Sequence, residues 1–232
     1  MMRRLGATVW VDLRRQVTEG FWLVALVVAL LLAAVLRAVD VEWAVWWPVV
    51  LLADLTITAF YFAAAHVLMQ RVEGTLNAQA VSPLRPHEYL ASLVVSLAVL
   101  SLVEMSVLVL VGCGRRLNWF AYLAAAAVAA ALYVLYGFIA VSKYPSISRF
   151  LLPSGLWTAV FAVPMLPLFG APSGWWLWLH PLHPVVVLIQ VAFGWLAAWW
   201  AVPALIVAVI WVLIGFKVAS ARFQRFLVGD QV

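Results

Sequence analysis

The stretch FLLPSGLWTAVFAVPMLPLFGAPSGWWLWLHPLHPVVVLIQVAFGWLAAWWAVPALIVAVIWVLIGF, residues 150–216, contains no Asp, Glu, Lys or Arg. At about 20 apolar residues per crossing it could thread a bilayer three times. The charges at its two ends decide against three. Arg149 precedes it and Lys217 follows it, and positive charge collects on one face of a membrane, so an even number of crossings is expected. Two spans are read, at about 150–169 and 195–216. The segment between them, 170–194, includes APSGWWLWLHPLHP and is broken by prolines. It is expected on the outer face, re-entrant or interfacial, and packed against protein, because exposed irregular backbone is not tolerated in lipid.

The rest of the chain has the same character. Of its 232 residues, 68% are hydrophobic and 10% are charged, against about 25% charged in a soluble domain. Further apolar runs predict spans at 21–36, 48–69, 86–111 and 119–141, with Pro48 and Pro86 at first helical positions. The expected fold is an all-α membrane protein of six transmembrane helices, a single domain over 1–232. Residues 1–19 set Leu5, Val9, Leu13 and Val17 four apart, with Arg3, Arg4, Asp12, Arg14, Arg15 and Glu19 largely elsewhere around the wheel, the pattern of a helix lying in the membrane interface. No small-residue cleavage site closes the first apolar run, so it is read as a retained span. Between spans 2 and 3, residues 71–88 form the longest internal polar stretch, with room for a short helix from about Glu73 to Val81.

The formal net charge of +5 would suggest nucleic acid in a soluble protein. Here the fourteen Lys and Arg residues sort by topology: all but Arg37, Arg115 and Arg116 fall on one side, which puts both termini in the cytoplasm. Nucleic acid is not an expected partner, whereas the lipid membrane is.

Few residues carry chemistry. Asp54 in span 2 and Glu104 in span 3 are acids at membrane depth, each costing about 2.5 kcal/mol or more at a helix centre. Asp54 is expected to share a face with Thr58 and Tyr61, and Glu104 to lie near Ser101. The two acids read equally well as part of a substrate path or as interhelical glue. His66 near the end of span 2 needs no function. His180 and His183 lack a third metal ligand nearby in sequence. Cys113 is read as a small apolar filler, and the tryptophan clusters mainly as interface anchors. Neither a nucleophile with its base nor a metal cluster supports an intramembrane enzyme.

The loop VEGTLNAQAVSPLRPHEYLASLV, residues 72–94, resembles a pattern found in the six-span permeases of type-2 ABC exporters: an acid, Gly-Thr-Leu, Ser-Pro-Leu-Arg, then Glu-Tyr-Leu. The stretch RRLGATVWVDLRRQVTEGFW, residues 3–22, is similar to the entry helix of the same family, particularly in its bacterial fluoroquinolone-export branch. Asn77 departs from it, since relatives often carry a second acid there. The resemblance implies a cytoplasmic coupling helix between spans 2 and 3, on which Glu73, Gly74, Thr75 and Leu76 begin the contact with an ATPase and Arg85 and Glu88 sit at its return. It also implies a separate ABC ATPase subunit that binds ATP and Mg, no cofactor in this chain, and a second copy or a paralogous permease completing the path. The absence of G-x-x-x-x-G-K-[ST] agrees with that division. The expected cargo is amphipathic or hydrophobic, drug or lipid-like. A non-transporting assembly or sensor subunit is the rival.

Overall fold

The computed structural model describes residues 2–39, 42–74, 86–113 and 117–229. Among them there are helices and no strand. Six helices are long and apolar enough to cross a membrane: span 1, Phe21–Ala38; span 2, Val45–Val72; span 3, His87–Gly112; span 4, Trp119–Val141; span 5, Ile147–Phe169; and span 6, Ala198–Gln224. The chain is therefore a multi-pass membrane protein. An entry helix, Met2–Thr18, precedes span 1. Gly20 between them has φ 80°, a left-handed conformation that costs glycine nothing and lets the chain turn within two residues.

Span 4 is the axis of the bundle. Of its most apolar window 72% is buried, against 28% in span 1, 22% in span 5 and 11% in span 6. Alanines explain the close packing around it: Ala125, Ala126, Ala129 and Ala130 are buried, and small side chains let backbones approach where lipid offers no hydrophobic drive to association. Span 1 does the same with Ala25, Ala29 and Ala33, all fully buried and four residues apart, against span 3. Asn118 caps span 4, its side chain accepting from the Ala121 amide at 3.2 Å.

Span 2 departs from the sequence expectation in two ways. Its helix begins at Trp43, so Pro48 lies inside it rather than at its first position. The helix also widens into a π segment, Thr56–Tyr61. There Thr56 and Thr58 return their hydroxyls to the carbonyls of Leu52 (3.0 Å) and Asp54 (3.2 Å), a back-bonding that competes with the regular ladder. Span 4 packs directly on this wide turn at Gly137, where an added Cβ would stand 2.4 Å from the Phe60 carbonyl oxygen.

The linker between spans 5 and 6 holds a short 3-10 turn, Trp175–Leu179, and a helix, His183–Ala192. That helix is buried along nearly its whole length. Its lower end is tied to span 5, since His180 Nε2 donates to the Val160 carbonyl at 3.0 Å and Nδ1 accepts from the Leu182 amide at 3.2 Å. Its upper end meets the start of span 4, where the Asn118 amide donates to the Ala192 carbonyl at 2.8 Å. The tryptophans divide accordingly. Trp175 and Trp199 are exposed, but Trp47 is fully buried and stacks on Trp43 and Phe193, so it holds the linker to span 2 rather than anchoring to an interface.

Candidate functional site

Among the described residues two polar clusters stand out inside this apolar bundle, both built around span 2. The first lies at the end of the bundle where the entry helix, the last turn of span 2 and the first turns of span 3 meet. Asp12 and Gln16 of the entry helix are buried, while Trp10, Val11 and Val17 face outward. The entry helix thus turns an acid and an amide toward the bundle, with Leu5, Val9 and Leu13 half-buried and Trp10, Val11 and Val17 facing away. Arg15 pairs with both Glu19 and Glu73, which ties the entry helix to the last residues of span 2. Glu19 Oε2 is 3.8 Å from His66 Nδ1. Gln70 bridges His66 Nε2 at 2.8 Å and the Tyr89 hydroxyl, also at 2.8 Å. Tyr89 donates to the Gln70 oxygen, so the Gln70 NH2 donates to His66 Nε2, and the ring proton of a neutral His66 then points from Nδ1 at Glu19. Ser92 donates to Asp12, and Arg71 reaches the Tyr144 carbonyl at 2.8 Å. Three segments distant in sequence are joined to span 2 by this chain of contacts.

The electrostatics of the two acids on the entry helix differ. Burial pushes the Asp12 carboxyl above its usual range, against the opposing pull of Ser92, His66 and Arg15. Burial acts the same way on Glu19, but His66 and Arg15 outweigh it and hold that carboxyl below its ordinary value. Charge-assisted pairing of this kind is what a partly buried carboxylate requires.

Of the residues expected at the coupling loop, Glu73 and Gly74 lie in the turn that ends span 2, with Gly74 at φ 72°. Glu88 is buried in the first turn of span 3. Thr75, Leu76 and Arg85 fall outside the described residues, as does most of the helix expected from Glu73 to Val81.

The second cluster is at mid-membrane. Asp54 of span 2 and Glu104 of span 3 face each other, with the Thr58 hydroxyl beside Glu104. Each acid is 1% exposed, and none of their carboxyl oxygens has a hydrogen bond of good geometry. The Ser101 hydroxyl, one turn earlier on span 3, and the neighbouring Tyr122 hydroxyl are also buried without partners. Tyr61 stands apart from this group. The π turn alters the spacing that a regular helix would give, and Tyr61 bonds Ser154 of span 5 at 3.0 Å. Asp54 and the His66 network are about 18 Å apart along one helix at 1.5 Å per residue, with the π segment between them.

Sequence reasoning passed over His66, Gln70, Tyr89 and Gln16. A signal did exist: Asp12, Gln16 and Glu19 fall on one face of the entry helix at spacings of four and three, a polar stripe that a purely interfacial helix does not need. Among the described residues no group of three or more His, Cys, Asp or Glu converges as a metal site.

The chain is 27% identical over 234 residues, covering 98% of both chains, to the "Fluoroquinolones export permease protein" of Mycobacterium tuberculosis in strain CDC 1551 / Oshkosh. It matches the corresponding protein of strain ATCC 25618 / H37Rv to the same extent. The model of one family matches residues 3–231, nearly the full length and both polar clusters. A six-span bundle matched end to end in this way is a membrane permease, and the chain belongs to the fluoroquinolones export permease protein family.

Proposed function

We propose that this chain is the membrane subunit of an ATP-driven ABC exporter, moving an amphipathic or hydrophobic drug-like substrate out of the cytoplasm. A separate ATPase subunit binds ATP and Mg, and a second copy or a paralogous permease completes the path. In this reading 1–232 is one domain, both termini are cytoplasmic, 1–19 lies in the interface, 71–88 is the coupling loop and 170–194 is re-entrant from the outside. The buried helix His183–Ala192, tied to the Val160 carbonyl partway down span 5 and to Asn118 at the head of span 4, supports a segment that enters and returns on one side.

One observation carries the proposal: Arg15 joins the entry helix to Glu73 at the root of the loop. A push from the ATPase on residues 73–88, which include Thr75, Leu76, Arg85 and Glu88, reaches the entry helix through Arg15 and span 2 through Glu73 and His66. Span 2 delivers it to the Asp54 level across a wide turn, and π turns recur at functional sites because they let a helix adjust locally. Asp54, Thr58, Ser101 and Glu104 would line the substrate path, with Tyr61 at its span 5 side. The names of the relatives support a drug as cargo.

The test combines topology and flux. A Thr75→Cys variant should react with a membrane-impermeant maleimide in inside-out vesicles and not in intact cells. The same vesicles, with the partner ATPase, should accumulate a fluoroquinolone on ATP addition. Labelling from outside intact cells contradicts the topology, and ATP hydrolysis without accumulation favours a sensor or assembly subunit.

A further inference from the structure

A cavity of about 330 Å³ opens between spans 4, 5 and 6, away from both polar clusters. Its walls are almost wholly apolar, with Leu135 and Ile139 from span 4, Trp157 from span 5 and Trp211 and Gly215 from span 6. Two lining residues carry polar groups at their tips, Tyr136 and Arg222. The half-buried Arg222 donates from Nη1 to the Ile139 carbonyl at 3.1 Å, leaving its other guanidinium donors for a ligand. The exposed Lys143, one turn beyond Ile139 on the chain, reaches the lining residue Trp157, its Nζ 5.8 Å from the centre of that ring. Among the described residues no acid pairs with either cation.

The dimensions narrow the occupant. Trp211 and Arg222 are about 16 Å apart along span 6 at 1.5 Å per residue, about half of the ~30 Å hydrocarbon core. Pro181, in the linker before the helix His183–Ala192, also lines the cavity. A slot one leaflet deep, greasy along its length and cationic at Arg222, matches one molecule with an apolar tail and an anionic head. We propose that it is a binding site for an anionic phospholipid of the leaflet on the C-terminal side, with an acyl chain along Leu135, Trp157 and Gly215 and the phosphate at Arg222 and Lys143. The bound lipid holds span 6, the least buried span, against spans 4 and 5.

The test uses the full chain purified in neutral detergent and returned to lipid nanodiscs of phosphatidylcholine with or without phosphatidylglycerol. Retained lipid is counted by native mass spectrometry and stability is followed by thermal unfolding. Phosphatidylglycerol should be retained in preference to phosphatidylcholine and should raise the melting temperature. Arg222→Gln and Lys143→Gln should each lower that preference about five-fold, since each basic residue near an anionic surface contributes ~1 kcal/mol, while Arg222→Lys should keep most of it. Lys143 is exposed, so its variant is not expected to disturb folding. Gly215→Phe, whose side chain would project toward Leu135 and fill the slot, should lose the lipid with both cations intact. Equal retention of the two lipids, or a preference unchanged in Arg222→Gln and Lys143→Gln, overturns the proposal. So does equal stabilisation by free glycerol phosphate, which would mark a site for soluble phosphate.

Discussion

The two polar clusters on span 2 sit in the same apolar bundle but are satisfied to different degrees. At the base most groups find partners, some of them on other elements, as Arg15 with Glu73 and Gln70 with Tyr89, although Gln16 and one atom each of Glu19 and His66 are buried without a hydrogen bond. At mid-membrane, Asp54 and Glu104 face one another with the Thr58 hydroxyl beside Glu104, and none of their carboxyl oxygens has a hydrogen bond of good geometry. Pairs made across elements tie those elements together, because removing one member leaves another buried and unpaired. A pair left unsatisfied gives the bundle no such gain. The base therefore reads as a mechanical joint and the acid pair as a place kept ready for something else to bind.

The largest effects should separate these roles. Replacing both Asp54 and Glu104 with Leu should stabilise the protein by about 1–4 kcal/mol, as when buried charges give way to apolar packing, and should lower drug transport at least ten-fold. Thermal unfolding and vesicle uptake measure the two. Stability lost, with transport intact, would make the pair interhelical glue.

Next in size is the contact that spans the distance between the clusters. Gly137→Ala would drive a Cβ to 2.4 Å from the Phe60 carbonyl oxygen, and both atoms belong to packed helices. A loss of about 1–3 kcal/mol is expected, with transport reduced because the π turn is displaced. An unchanged melting temperature would mean that span 4 does not bear on that turn.

The smallest effect is on the base network. Glu19 is held below its ordinary value of 4.5, so a detached entry helix takes up this proton more readily than a docked one. The Glu19 contribution to docking is complete above pH 4.5 and fades as pH falls through the lower, docked value. Asp12 is shifted up from 3.8, so its contribution has the opposite sign: docking weakens as pH rises from 3.8 through the raised value. Arg15, His66 and Ser92 surround the two acids. At neutral pH Glu19→Gln should therefore loosen the entry helix and Asp12→Asn should tighten it. Distances between spin labels on the exposed positions Val11 and Val95 would report both, and a shift of the same sign in the two variants would contradict the assignment.

Much of this was legible in the residues. Runs such as 21–36 and 150–216 can be nothing but lipid-facing or buried helix, and parity of charge resolved the long one into two crossings, in agreement with the six long apolar helices. The start of span 2 was not legible to the residue, because Trp43, Val45 and Trp46 suit a headgroup layer and a helix alike. The π turn was hidden too, since threonines such as Thr56 and Thr58 also sit in regular helices, and the close approach of Gly137 to Phe60 comes from another element. Asp54 and Glu104 stood out singly, because charge is conspicuous against an apolar background, but that they face each other depends on the register of two helices. His66 and Gln70 stayed hidden for the same reason: their partners Glu19 and Tyr89 lie on other elements.

The central claim is that force passes from the loop through Arg15 and Glu73 into span 2. The direct measurement is drug transported per ATP hydrolysed, in vesicles holding the permease with its ATPase partner. Arg15→Glu should leave ATP hydrolysis running while that ratio falls several-fold, and adding Glu73→Arg, which restores opposite charges across the joint, should recover much of it. A ratio unchanged by Arg15→Glu, or a loss that Glu73→Arg does nothing to repair, would contradict the account.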